Sequence, residues 1–113
     1  MVEFINNTYS PLLSCLRISQ SLINGTGIFA NNDLVAGQHL GVTHIWETNR
    51  IDWIRTPLGG FINHSDEPNC FIVTNIDHHH GTQRELYVVK PIKEGEELTI
   101  YYTLPEYIEL KTT

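Results

Sequence analysis

Positive charge and cysteine are scarce in this chain. Its 113 residues hold seven Lys and Arg against thirteen Asp and Glu, a net charge of −6. A binder of phosphate backbones normally carries a basic patch, so direct nucleic-acid binding is disfavoured. The acidic balance either steers a basic peptide partner or only keeps the chain in solution. The two cysteines, Cys15 and Cys70, stand far apart with no Cys-x-x-Cys spacing. That pattern indicates no structural zinc site and no disulfide framework, and leaves buried free thiols as the expectation. No apolar run approaches the roughly 20 residues that cross a membrane. The first residues lack the order of a signal peptide, so a soluble intracellular protein is expected. With 41% apolar and 18% charged residues, the composition is globular rather than disordered. The length predicts one domain, residues 1–113.

What the chain does have is a specific polar stretch between apolar runs: Gly60-Phe61-Ile62-Asn63-His64-Ser65-Asp66-Glu67-Pro68-Asn69-Cys70. Asn63, His64 and Ser65 put an amide, an imidazole and a hydroxyl on successive residues, able to donate and accept hydrogen bonds in several directions. Pro68 removes a backbone donor and biases Glu67 toward an extended conformation, and Asn69 can close a turn. Phe61 and Ile62 before the loop, and Phe71, Ile72 and Val73 after it, can anchor it in a core, which makes a rigid site. From chemistry alone it reads equally as a surface turn.

Along the chain, Val2–Ile5 and Leu12–Ile18 read as strands. Gly25-Thr26-Gly27 precedes a short strand at Ile28–Ala30, and its glycines permit close backbone approach or positive φ. Gln38–Glu47 is a further strand. The 51–54 segment is open between strand and helix. Cys70–Ile76 and Arg84–Lys90 read as strands joined by a long loop, Asp77–Gln83, with the last strand at Leu98–Tyr102 and a short helix at 104–110 opened by Pro105. His78, His79 and His80 read as a solvated loop tip in preference to a metal site, since nothing fixes them on one ion. Leu34-Val35-Ala36-Gly37-Gln38-His39-Leu40 parallels Ile92-Lys93-Glu94-Gly95-Glu96-Glu97-Leu98, each after a strand ending at Ala30 or Val89, a pattern of chance or of duplicated β-turn-β units.

Phe61-Ile62-Asn63-His64-Ser65-x-x-Pro68-Asn69-Cys70 resembles a signature of the SET domain, the fold of most protein-lysine methyltransferases. Ile92 to Tyr102 is similar to the second SET signature, and Gly25-x-Gly27 to the glycine stretch at the family's cofactor pocket. The resemblance covers residues 10–102. It implies a mainly β fold, the SET β-clip of several short sheets, with the C-terminal strand tucked beneath a loop as a pseudoknot, an exception to the rule against threaded chains. It implies S-adenosylmethionine held by Gly25, Thr26, Gly27, Asn63 and His64, with Tyr102 as the catalytic tyrosine. Tyr107 stands where some small members set an aromatic residue against the adenine, or packs in its helix. Tyr101 replaces a common Asp, and Glu97 or Tyr101 is placed on the peptide side only loosely. Trp46 and Trp53, in a short version of the family's variable insert, are packing residues or line a lysine stem.

The implied activity is protein-lysine N-methylation, of histone or another basic protein. The alternative is a SET-like module that binds cofactor or peptide with little turnover. Asp66 stands where many members have a zinc-ligating cysteine, and no cysteines follow Tyr102, so no metal and no pre-SET or zinc-binding post-SET flank are expected. No assisting upstream tyrosine is evident. The size resembles the minimal viral SET proteins, which implies a homodimer, located in the cytoplasm or nucleus of a host cell if viral.

Overall fold

The computed structural model describes residues 12–77 and 81–102. The predicted strand at 2–5, the histidine tip at 78–80 and the predicted helix at 104–110, with Tyr107, lie outside the described residues. The elements are β1 (Leu16–Gln20), β2 (Thr26–Ala30), β3 (His39–Glu47), β4 (Asp52–Arg55), α1 (Pro57–Phe61), β5 (Asn63–His64), β6 (Cys70–Asp77), β7 (Gly81–Val88) and β8 (Glu97–Ile100). They form two four-stranded sheets, ordered β1-β2-β8-β5 and β4-β3-β7-β6. The mainly β architecture expected from the sequence is the one observed.

Period-two alternation sets the faces. On β7, Leu86 and Val88 are buried, and they pair with Ile72 and Cys70 of β6. With Ile28, Ala30, Leu40, Leu58, Ile62, Ile92, Leu98 and Ile100 they build one core. The opposite face of this sheet keeps Ile45, Ile54, Phe71 and Val73 exposed. Ile62 and Cys70, not the exposed Phe61 and Phe71, therefore anchor the polar loop. The β6–β7 pairing runs on through Asn75↔Gln83 and Ile76↔Thr82 to Asp77↔Gly81. The connection is accordingly shorter than the predicted Asp77–Gln83 loop, and β7 starts and stops earlier than predicted.

The open segment 51–54 resolves as a strand: β4 pairs with β3, Trp46 facing Trp53. A one-turn helix, α1, was not predicted. Thr56 caps it, its hydroxyl accepting from Gly59 N–H at 3.3 Å, and Pro57 begins it, a Thr-Pro start signal that the sequence did carry.

The internal repeat is structural. Leu34 and Ile92 exchange both backbone hydrogen bonds, at 2.7 and 3.0 Å. Gly37 donates to Val88 C=O and Gly95 to Ala30 C=O, both at 2.8 Å, with φ of 86° and 90° at the two glycines. The two copies thus meet across a rough two-fold, and the counterpart of Ala30 is Val88 rather than Val89.

That two-fold delivers β8 into the middle of the first sheet. It runs antiparallel to β2 (Ile28↔Leu98) and parallel to β5 (Asn63↔Thr99, His64↔Ile100). The loop after β5 is tied onto it. Asn69 Nδ2 donates to Glu97 C=O at 2.9 Å, and Thr99 N–H donates to Asn69 Oδ1 at 2.8 Å. Asn69 thus bonds across the molecule instead of only closing its own turn. Tyr101 and Tyr102 follow the strand rather than lying in it.

Candidate active site

The parallel pairing of β5 with β8 sets Asn63 and His64 beside the residues that lead to Tyr102. Asn63, His64 and Tyr102, with Ile23 and Asn24, line one cavity of about 280 Å³. That is just under the size range usual for small-molecule sites.

Tyr102 is fixed at both ends. Its backbone N–H donates to His64 Nδ1 at 2.9 Å, and its hydroxyl donates to Ile62 C=O at 2.8 Å. Because Nδ1 accepts, the neutral imidazole carries its proton on Nε2, which donates to Asp66 Oδ1 at 2.9 Å. The residue at the position of the absent zinc ligand thus holds the ring. The rings of His64 and Tyr102 lie 5.1 Å apart, and the exposed Tyr101 flanks the other side at 4.8 Å. Burial pushes the Tyr102 phenol up to about 12; Arg55 opposes the rise, Glu97 reinforces it, and a backbone hydrogen bond with His64 opposes it. The phenol is therefore neutral at physiological pH.

Asn63 is buried, and its amide nitrogen sits among four acceptors: Glu97 Oε2 at 2.8 Å, Thr26 C=O at 3.1 Å, and Ser21 Oγ and Asn24 C=O at 3.2 Å. The Ser21 hydroxyl donates to Glu97 Oε1 at 2.8 Å and accepts from Ile23 N–H at 2.9 Å. This shapes the 21–25 turn that forms one wall of the cavity. Gly27 is buried where a Cβ would overlap the Glu97 carboxylate. Gly25 faces open space with φ of 51°, and Thr26 is exposed.

The glycine stretch therefore serves the cavity mainly from behind, while Ile23 and Asn24 line it. Sequence reasoning missed Ser21, Ile23, Asn24 and the place of Glu97 behind Asn63. Only Glu97, within Gly95-Glu96-Glu97, carried a sequence signal. Trp46 and Trp53 pack against each other at 5.3 Å, Arg84 lies 3.9 Å over Trp53, and neither Trp lines the cavity. No group of three or more His, Cys, Asp or Glu that could hold a metal occurs among the described residues.

The SET domain family model matches residues 45–103. Among solved structures, the chain is similar to a candidate histone methyltransferase of Plasmodium falciparum, with a TM-score of 0.69 at 16% identity, covering 84% of this chain and 98% of that one. At that identity the likeness shows the fold alone. No curated protein matches the chain.

Proposed function

Because the chain belongs to the SET-domain family, we propose that it is an S-adenosylmethionine-dependent protein-lysine N-methyltransferase, acting on histone or another basic protein. The observation that carries this reading is the meeting of Asn63, His64 and Tyr102 at one cavity. An amide, an imidazole and a phenol beside the apolar Ile23 fit a cofactor that is polar and charged at one end and flat and apolar at the other. Asn63, His64, the turn through Ile23, Asn24 and Gly25, and the start of β2 at Thr26 and Gly27 would hold it. When bound, S-adenosylmethionine supplies an electrophilic methyl group on a sulfonium.

The residues have little acid–base work to do. A free lysine has a pKa near about 10.4, so the attacking amine must be kept neutral, which a narrow, partly apolar channel favours. With its phenol pushed up to about 12, Tyr102 stays uncharged and presents a dipole to the amine instead of an anion. The Ile62 carbonyl holds that hydroxyl in place while His64 holds the Tyr102 backbone N–H, and alignment of this kind is the larger part of the catalysis. The net charge of −6 suits a basic substrate.

We extend the reading to a compact viral-type member that acts as a homodimer, supported by Asp66 at the zinc-ligand position and by the exposed Ile45, Ile54, Phe71 and Val73 on one sheet face. A monomer in gel filtration at micromolar concentration would remove the dimer. The test of function is transfer of a labelled methyl group from S-adenosylmethionine to core histones, with Tyr102→Phe as control. Transfer by wild type that the substitution abolishes is expected. Cofactor binding with no transfer to any basic protein would leave only a binding module.

A further inference from the structure

Behind the Asn63 wall of this cavity lies the Glu97 carboxylate, and the catalytic reading gives it no task. It opens β8, and its side chain lies directly behind Asn63: Oε2 accepts from the Asn63 amide at 2.8 Å and Oε1 from Ser21 Oγ at 2.8 Å. Gly27, lacking a Cβ, leaves the space that the carboxylate fills. Three chain segments therefore converge to hold one negative charge a single side chain away from the ligand space. The Asn63 side chain is buried, so little water intervenes to screen that charge. Glu97 also adds to the rise of the Tyr102 phenol that burial causes, against the opposing Arg55.

Resting on the methyl-transfer reading, we propose that Glu97 makes the cavity prefer the positively charged sulfonium cofactor over the neutral thioether product, with Ser21 as its positioning residue. The reaction changes the charge that Glu97 faces. As the N–C bond forms, the S–C bond breaks and its electron pair returns to sulfur. The positive charge passes to the methylated amine, which then gives its proton to solvent. The adenosyl and amino-acid parts are the same before and after, so a charge behind Asn63 separates the two ligands by the sulfonium alone. An interaction of this kind across a half-buried wall amounts to about a fivefold to tenfold difference in affinity. Its consequence is that spent cofactor is released and replaced instead of blocking the site.

The experiment is calorimetric titration of wild type, Glu97→Gln and Glu97→Asp with S-adenosylmethionine and S-adenosylhomocysteine. Glu97→Gln keeps the shape and the acceptor for Ser21 but removes the charge; Glu97→Asp keeps the charge. The expected result is that the ratio of the two dissociation constants shifts about fivefold to tenfold toward the product in Glu97→Gln and stays near wild type in Glu97→Asp. Equal weakening of both ligands would mean a purely structural role and would overturn the proposal, leaving the methyl-transfer reading intact. Failure of wild type to bind either ligand would overturn both. A second measurement needs no cofactor: titration of a carbon-13-labelled Tyr102 by NMR. Its midpoint is expected to fall in Glu97→Gln, and an unmoved midpoint would overturn the proposal whatever the ligands do.

Discussion

Replacing Gly27 with alanine tests whether the glycine is there for the carboxylate behind it. The position has ordinary backbone angles, so alanine would by itself stabilise the strand by about 0.5 kcal/mol. A Cβ there, however, overlaps Glu97 Oε2 and comes within 2.9 Å of Glu97 Cδ and 3.1 Å of Asn63 Nδ2. The carboxylate ends a flexible side chain and can swing away, so the cost is not a hard clash. It is the loss of the hydrogen bonds from Ser21 and Asn63. Charge-assisted bonds contribute roughly 1.5–3 kcal/mol each when buried. Glu97 is only half-buried, which reduces that to about 1 kcal/mol each. Asn63 keeps the Thr26 and Asn24 carbonyls and is not orphaned. The net expectation is a loss of about 1–2 kcal/mol, which lowers a urea midpoint by about 1 M at the usual slope for a small domain. Urea unfolding followed by circular dichroism measures it. The decisive comparison is a double-mutant cycle with Glu97→Ala, in which Gly27→Ala should cost nothing. Equal cost in both backgrounds, within about 0.5 kcal/mol, would refute the reasoning. Gly25→Ala is the control: it meets no atom, costs about 1 kcal/mol through its φ of 51°, and is indifferent to Glu97.

Gly59→Ala is expected to destabilise by about 2–3 kcal/mol in the same assay, because its Cβ would strike the Thr43 backbone, with Cα at 3.2 Å, and backbone does not give way. Glu85 accepts from Asn75 at 2.8 Å and pairs with His39 at 2.6 Å; the Asn75 bond is the first cause holding its pKa below the usual 4.5, burial opposes it, and Gln83 and His39 add to it. Its stabilisation is therefore complete above about pH 4.5 and lost as pH falls through the lower folded value. Thermal melts of wild type should fall more steeply over that acid range than melts of Glu85→Gln. Burial pushes the Cys70 thiol up to about 12, against a backbone hydrogen bond with Thr99. A thiol reagent at pH 8 should therefore modify Cys15 in the native protein and reach Cys70 only on unfolding, as mass spectrometry of the labelled peptides would record.

The parts of the fold legible in the sequence were those coded locally. Local residue patterning marked β1, β3, β6 and β7 as strands, and the two glycine turns announced a repeat that the Leu34–Ile92 pair makes physical. Polar residue types singled out Asn63 and His64, and the family resemblance added Tyr102, although 38 residues separate the His64 ring from the amide it accepts. What sequence could not supply was direction. Whether Glu97 turns toward a peptide or behind Asn63 depends on a strand inserted between two others, and no local pattern encodes that. Ser21 is invisible for the same reason: its partner lies 76 residues away. The helix after Thr56 was readable from its cap and proline but is too short to show a hydrophobic period.

The insertion of β8 also has a kinetic side. The β3–β4 and β6–β7 pairings join neighbours in sequence and can form early. The site instead needs residues near 21–27, 63–66 and 97–102 brought together, and each such closure carries loop entropy before any contact rewards it. A nascent chain can thus hold most of its second sheet while having nothing that binds a cofactor. Because β8 is bonded on both sides, it cannot fray from an edge. Amide exchange at Ser65, whose N–H donates to Ile100 C=O at 2.9 Å, should require opening of the whole domain and not a local fluctuation. β8, the last strand among the described residues, is thereby the one that commits the molecule to its folded state.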